Sequence, residues 1–369
     1  MIKVKLNNEI LKYITEIERN RYQVSTVTLS ETSMNRLRKN SKKKSSYASN
    51  KIEGNPLSEE QVAEAIDGDE RRHFLKPEQE VRNYFLALNF LEKQLEKKEK
   101  ISRKLILDVQ KYVEKGAAKE KIGLRGPMPP GVLFAVYDSE SGRPEYIPPE
   151  SSEIPDLLDE LVEYVNTTDD HPLIVAAIVH YQLVTIHPFE DGNGRTARLI
   201  SGYILDLNGY GFNGIGSLEE YFAFDIEEYY NSIQMGLPVS YYDGRNDPPH
   251  SEIWINYFLR MVQLYSGRVC EITKETNHDS IDVSLSPLKP KEKELLTILL
   301  ESIGDEFTPI ELSKTVHVTN RTVINRLAIL VNNGFVLPIL VNERIRSYKL
   351  SEFAIENRKE IIESILSSR

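Results

Sequence analysis

His187-Pro188-Phe189-Glu190-Asp191-Gly192-Asn193-Gly194-Arg195-Thr196-Ala197-Arg198 is the stretch from which the rest of the chain is read. An apolar run precedes it, in which Leu173, Ala176, Ala177, Val179, Leu183, Val184 and Ile186 recur mostly at three- and four-residue steps, the period of a buried helix. Pro188 ends that helix, because its ring disfavours helical geometry at the preceding residue and it has no N–H. His187 is therefore expected on the last turn, aimed into the glycine-containing loop beyond it. A second amphipathic segment then begins, with Leu199, Ile200, Tyr203, Ile204 and Leu207 on its apolar face. Asn208-Gly209 suits a left-handed cap at its end.

Helix, glycine loop, helix is a cradle for phosphate. The N–H groups and positive dipole end of the second helix attract anions, and Gly192 and Gly194 let backbone approach phosphate oxygens with no Cβ between. Arg195 and Arg198 are three apart on one face, so both guanidinium groups are expected to reach one polyphosphate. Asp191 offers a hard oxygen suited to Mg²⁺, and His187 a base that works near neutral pH. A lone histidine after an apolar helix is usually structural, and a lone Gly-x-Gly is weak; it is their combination that is specific.

The twelve residues resemble, with no departure, the core motif of the Fic (filamentation induced by cyclic AMP) family, His-Pro-Phe-x-(Asp/Glu)-Gly-Asn-Gly-Arg-x-x-Arg, and the resemblance extends over residues 40 to 275. It implies a mainly α protein: a Fic-type helical domain with a β-hairpin flap. It also implies a protein adenylyltransferase that moves AMP from ATP, with Mg²⁺, to a Ser, Thr or Tyr hydroxyl of a protein. His187 would deprotonate that hydroxyl and Asp191 would hold the metal. Gly192, Asn193 and Gly194 would cradle phosphate, with Arg195 on the β- and Arg198 on the γ-phosphate and Thr196 in the same nucleotide-binding stretch. Other members move phosphate, UMP or phosphocholine, or remove AMP. From a different class, the chain reads as a DNA-binding regulator whose Fic-like part senses nucleotide.

Composition narrows the class. The 369 residues suffice for two or three domains. The net charge of −10 argues against general nucleic-acid binding, and Cys270, the single cysteine, excludes an internal disulfide or a multi-cysteine zinc site. No run reaches transmembrane length and the first twenty residues carry charges throughout, so a cytoplasmic protein with no membrane partner is expected.

Residues 1–110 read as an N-terminal helical region. Within it the basic run Arg36 to Lys44 is taken as a solvated helix face, and Ser58 as the N-cap of a following helix. Ser49-x-x-x-Glu53-Gly54 resembles the family's inhibitory motif, which implies an inhibitory helix around 45–54 with Glu53 pairing Arg198 and so misaligning ATP. Residues 111–275 are the expected core. In it, 123–149 breaks the helical pattern with two β-prone runs around a polar turn at Asp138 to Gly142, a hairpin that resembles the Fic flap. Arg143, Pro144, Glu145 and Tyr146 would dock a protein substrate, or a second copy of the chain, as an added strand. An aromatic stripe such as Glu219 to Met235 is usually core, but the resemblance puts Tyr229 and Tyr230 in an adenine pocket. A polar linker is expected at 276–290, then a winged-helix domain at 291–369, with Thr308 and Thr319 as caps. Arg321, Asn325 and Arg326 are placed to meet DNA, yet acids nearly equal bases there, and a protein-interaction or dimerisation role is preferred; a homodimer is left open.

Overall fold

The periodicities become helices. In order they are α1 (Asn8–Ser25), α2 (Glu31–Ile52), α3 (Glu59–Asp67), α4 (Lys76–Glu96) and α5 (Arg103–Val113), then a hairpin of β1 (Val136–Tyr137) and β2 (Pro144–Tyr146). After it come α6 (Ile154–Thr167), α7 (Pro172–Ile186), α8 (Asn193–Leu207), α9 (Glu219–Phe224), α10 (Ile226–Gln234) and α11 (Glu252–Leu285). The computed structural model describes residues 2–29, 31–68, 73–116, 122–137, 142–302, 306–341 and 344–367. The hairpin turn at 138–141 lies outside them. Two compact units result, one of Met1–Val24 with Met34–Cys270, the other of Ser25–Ser33 with Glu271–Arg369.

The larger unit is built on α7 and α8. Thirteen of the fifteen α7 residues are buried, so its sequence has no polar face to offer solvent. Trp254 on α11 donates its indole N–H to Ala177 O at 2.8 Å and closes one side. α8 ends as its sequence implies, with Gly209 at φ 78°. Gly202, inside α8, leaves open space where a Cβ would stand. Gly202→Ala is therefore expected to stabilise the fold by about 0.4–1 kcal/mol, read as a higher denaturation midpoint.

α2 has no Gly or Pro to interrupt it and is longer than the inhibitory segment alone. Its lysines pair with neighbours, Lys42 with Glu92 at 2.6 Å and Lys43 with Asp67 at 2.5 Å; both are half-buried and Ser41 is buried, so the run is solvated only in part. Its end is set by Gly54 at φ 80°: Gly54 N donates to Lys51 O and Asn55 N to Asn50 O, both at 3.0 Å, the two bonds of a Schellman turn. Glu53 is thereby the capping residue, one position past the helix. α3 starts at Ser58, which exchanges bonds with Gln61 in a capping box.

Two sequence expectations shift. Among the described residues 136–137 pair with 144–146 in the hairpin, a shorter ribbon than the β-prone runs suggest. α11 continues to Leu285, so much of the 276–290 linker is helical; no Gly or Pro occurs between Gly267 and Pro287 to stop it.

The smaller unit has α12 (Pro290–Ser302), α13 (Pro309–Thr315) and α14 (Asn320–Asn332), an antiparallel ribbon of β3 (Val336–Val341) and β4 (Arg344–Leu350), then α15 (Glu352–Glu356) and α16 (Arg358–Ser367). Thr308 and Thr319 cap α13 and α14. Leu295, Leu299, Val323, Leu327, Leu330 and Phe335 are buried in its own core. Among the described residues no helix is long and apolar enough to cross a membrane.

Candidate active site

His187 sits one residue beyond the expected last turn. It caps α7 in the left-handed region, φ 49° and ψ 59°, because Pro188 denies it helical geometry. A non-glycine residue there stores strain, as functional positions often do. Its Nδ1 lies 3.3 Å from Val184 O. A carbonyl only accepts, so Nδ1 carries the proton and Nε2 is left as the basic nitrogen. Burial pushes the imidazole pKa down to about 4, against the raising effects of Val184 O, Glu53 and Asp191. The imidazole is thus neutral at physiological pH, with Nε2 able to accept a proton.

The loop after it is braced from inside. Asn193 Oδ1 accepts from Phe189 N at 3.0 Å and its Nδ2 donates to Phe189 O at 2.9 Å. The Asn193 side chain is therefore committed to holding the loop, and it is the backbone N–H that remains for an anion. Gly192, at φ 80°, is the N-cap of α8, and a Cβ on it would lie 2.8 Å from Glu114 Oε1. No larger residue fits. The N–H groups of Asn193, Gly194 and Arg195 precede the first i→i−4 bond, made by Thr196 N to Gly192 O. Thr196, the next residue, is fully buried, and its Oγ1 has no hydrogen-bond partner among the described residues.

The two arginines part company. Arg195, 4% exposed, points its Nη2 at Glu114 Oε1, 3.0 Å away, and at Asp191 Oδ1, 3.3 Å away. Glu114, at the end of α5, gives no motif signal and was missed by sequence; it turns Arg195 into a strut for the loop. Arg198 faces α2 instead. Its Nη2 donates to Glu53 Oε1 at 2.6 Å and to Ser49 O at 3.0 Å, its Nε to Ser49 Oγ at 2.8 Å, and its Nη1 to Tyr229 OH at 3.3 Å. A Cβ on Gly194 would collide with Glu53 Oε1. The Glu53 carboxylate therefore lies on the first turn of α8, where an anion is favoured.

Asp191 is one third exposed and accepts from Gly192 N at 2.8 Å. Among the described residues no group of three or more His, Cys, Asp or Glu is arranged to hold a metal. A single carboxylate suits Mg²⁺ that arrives with phosphate oxygens completing its shell.

Tyr229 is not positioned to stack on adenine: it is 1% exposed, packed among Phe222, Trp254 and Tyr257. Within the aromatic stripe Phe222 and Tyr229 belong to the core, whereas Phe224 is exposed. Tyr230 is 39% exposed, and its hydroxyl donates to Ile52 O at 3.3 Å, beside Glu53. In the hairpin, Arg143, Pro144 and Glu145 are exposed, whereas Tyr146 is buried and donates its hydroxyl to Thr185 O on α7, so it anchors the ribbon. Arg125, also unmarked in sequence, fixes the base of this segment: its Nε donates to His187 O at 2.8 Å and its backbone N to Pro188 O at 2.9 Å.

Residues 95–205 match the family model Fic/DOC family. The protein adenylyltransferase Fic of Drosophila grimshawi is 27% identical over 206 residues, covering 53% of this chain and 40% of that protein. The counterpart from Drosophila melanogaster is 28% identical over 206 residues, with 53% and 39% covered. The chain thus spans about two fifths of the length of these curated relatives. Among solved structures, a Fic family protein from Desulfovibrio desulfuricans G20 superposes with a TM-score of 0.60 at 21% identity, over 95% of this chain and 98% of that one. Fic-1 (residues 134–508) from C. elegans does so with a TM-score of 0.56 at 22% identity, over 72% and 73%. The chain has the mainly helical Fic fold, and its residues 95–205, which contain the whole loop from His187 to Arg198, carry the match to the Fic/DOC family.

Proposed function

We propose that this chain is a protein adenylyltransferase held at rest by its own Glu53. The observation that carries the reading is a carboxylate lying on an anion cradle: Glu53 Oε1 rests against Gly194 and within 2.6 Å of Arg198 Nη2. A site built to attract an anion is occupied by one from the same chain. With Glu53 withdrawn, the N–H groups at the start of α8 and the Arg198 guanidinium receive the phosphates of ATP. Asp191 would hold Mg²⁺, which would supply positive charge to offset that of the triphosphate. His187 Nε2 takes the proton from a Ser, Thr or Tyr hydroxyl as its oxygen attacks the α-phosphorus, and pyrophosphate leaves. Positioning and charge stabilisation carry most of the work. Arg143, Pro144 and Glu145 lie on the exposed rim where the target backbone would pair. The smaller unit, with α13, α14 and a ribbon in the order of a winged helix, serves contact with protein partners.

Parallel incubations with α-³²P- and γ-³²P-labelled ATP and Mg²⁺ test the reading. Label is expected on protein from the α position only, with pyrophosphate released in equal amount. Protein labelled from the γ position would make the chain a phosphotransferase instead.

A further inference from the structure

We propose that Tyr229, His180 and Ser201 form with Arg198 a closed hydrogen-bond circuit, and that these three are positioning residues which aim the Arg198 guanidinium at whichever anion lies in the cradle. The proposal rests on the function proposed above and adds residues that no motif marks.

The direction of the circuit follows from elementary donor chemistry. Arg198 Nη1 has no lone pair to offer, so at 3.3 Å it donates to the Tyr229 hydroxyl oxygen. That hydroxyl keeps its own proton to give, and His180 Nε2 lies 2.9 Å away. An accepting Nε2 requires a neutral ring with its proton on Nδ1, and Nδ1 is 3.2 Å from Ser201 Oγ. Ser201 Oγ then donates to Arg198 O at 3.1 Å, one helical turn back along α8. A complete circuit runs only in this sense, because a carbonyl has no proton and a guanidinium accepts none. Arg198, Tyr229, His180 and Ser201 are each at most 2% exposed, so no water competes for these bonds.

The surroundings keep His180 neutral. Trp254, Phe222 and Phe258 have ring centroids 5.0, 5.6 and 6.0 Å from its own. Burial, reinforced by the Arg198 charge, drives its pKa well below the ordinary histidine value. A buried imidazolium beside Arg198 would face a like charge. His180 has no part in the chemistry at His187, so its polar contacts need another reason, and orienting Arg198 supplies one. When Glu53 leaves, the guanidinium loses a partner at 2.6 Å; Ser49 still accepts from Nε and Nη2, and the circuit holds the other side of the group through Nη1.

Tyr229→Phe keeps the ring and deletes only the hydroxyl; Ser201→Ala opens the circuit at its other end. In a Glu53→Gly chain, isothermal titration with ATP and Mg²⁺ is expected to show a dissociation constant raised about tenfold by Tyr229→Phe. Ser201→Ala is expected to weaken ATP in the same direction, and the double variant to stay within about twofold of the worse single, since a circuit once opened loses little more. A Tyr229→Phe constant within twofold of its parent, or effects that multiply, overturns the proposal. Nitrogen NMR of labelled His180 reads the circuit without nucleotide: a neutral ring with its proton on Nδ1 is expected from pH 5 to 8, and a proton on Nε2 overturns it. A Glu53→Gly chain that binds no ATP would count against the proposed function alone, with the NMR tautomer still deciding the circuit.

Discussion

Glu53→Gly is expected to label protein from α-³²P-ATP about 10- to 150-fold faster than the unaltered chain. A hydrogen bond to a charged group contributes about 1.5–3 kcal/mol, and that difference, removed from the closed state, is the whole of the expected ratio. Glu53 is 32% exposed while Arg198 is 1% exposed, so water reaches one partner and the gain belongs toward the lower end. The helix end should survive the change, since Gly54 and Asn55 hold it by backbone bonds that do not involve the Glu53 side chain. Glu53→Gln separates charge from shape. It leaves an oxygen near Gly194 but removes the ion pair with Arg198, and its rate should fall between the two. Rates for Glu53→Gly that match the parent at saturating ATP and Mg²⁺ would remove autoinhibition from the account, even with the ion pair present in the fold.

The loop from His187 to Arg198 was legible because its residue types answer a local need: glycine where φ is 80°, proline where a helix must stop, a base and a carboxylate beside an N-terminus. The helix end at Glu53 was legible from Gly54, whereas taken alone Glu53 reads as a surface carboxylate and only the resemblance implies its pairing with Arg198. Glu114 and Arg125 were not. Each acts across a long sequence separation, Glu114 on Arg195 and Arg125 on His187 O, and a single buried Glu or Arg leaves no periodic or compositional trace. Tyr229 is placed at an adenine pocket only by the resemblance, and its burial among Phe222, Trp254 and Tyr257 is a packing outcome that a tyrosine in an aromatic stripe does not signal. The extent of α11 follows from an absence, the lack of Gly or Pro up to Pro287, which a polar composition masks. Local chemistry shows in sequence; long-range pairing shows only in the fold.

His187→Ala, introduced into the Glu53→Gly chain, is expected to lose about 10²- to 10⁴-fold in AMP transfer, the span of general-base catalysis. Its ATP affinity, measured by titration, should change little, because His187 touches the reacting hydroxyl and not the phosphates. Transfer reduced less than tenfold would take the base role from His187. The pH profile offers an independent reading. With the imidazole pKa pushed to about 4 by burial, transfer by the His187 chain should be level on the acid side from pH 8 down to 6 and fall only below about 5. Loss of Glu53 removes one of the charges that raise this pKa, so the fall should move lower still in Glu53→Gly. Stability carries the same sign. The unfolded chain protonates this histidine near pH 6.5 and the folded one near 4, so between those values unfolding takes up a proton and the fold weakens as pH drops. Removing the imidazole should therefore flatten the decline of the thermal midpoint between pH 6.5 and 4 while abolishing transfer. A variant that loses transfer and ATP binding together, with its acid sensitivity unchanged, would mean that residue 187 supports the shape of the loop and that the proton leaves by another route.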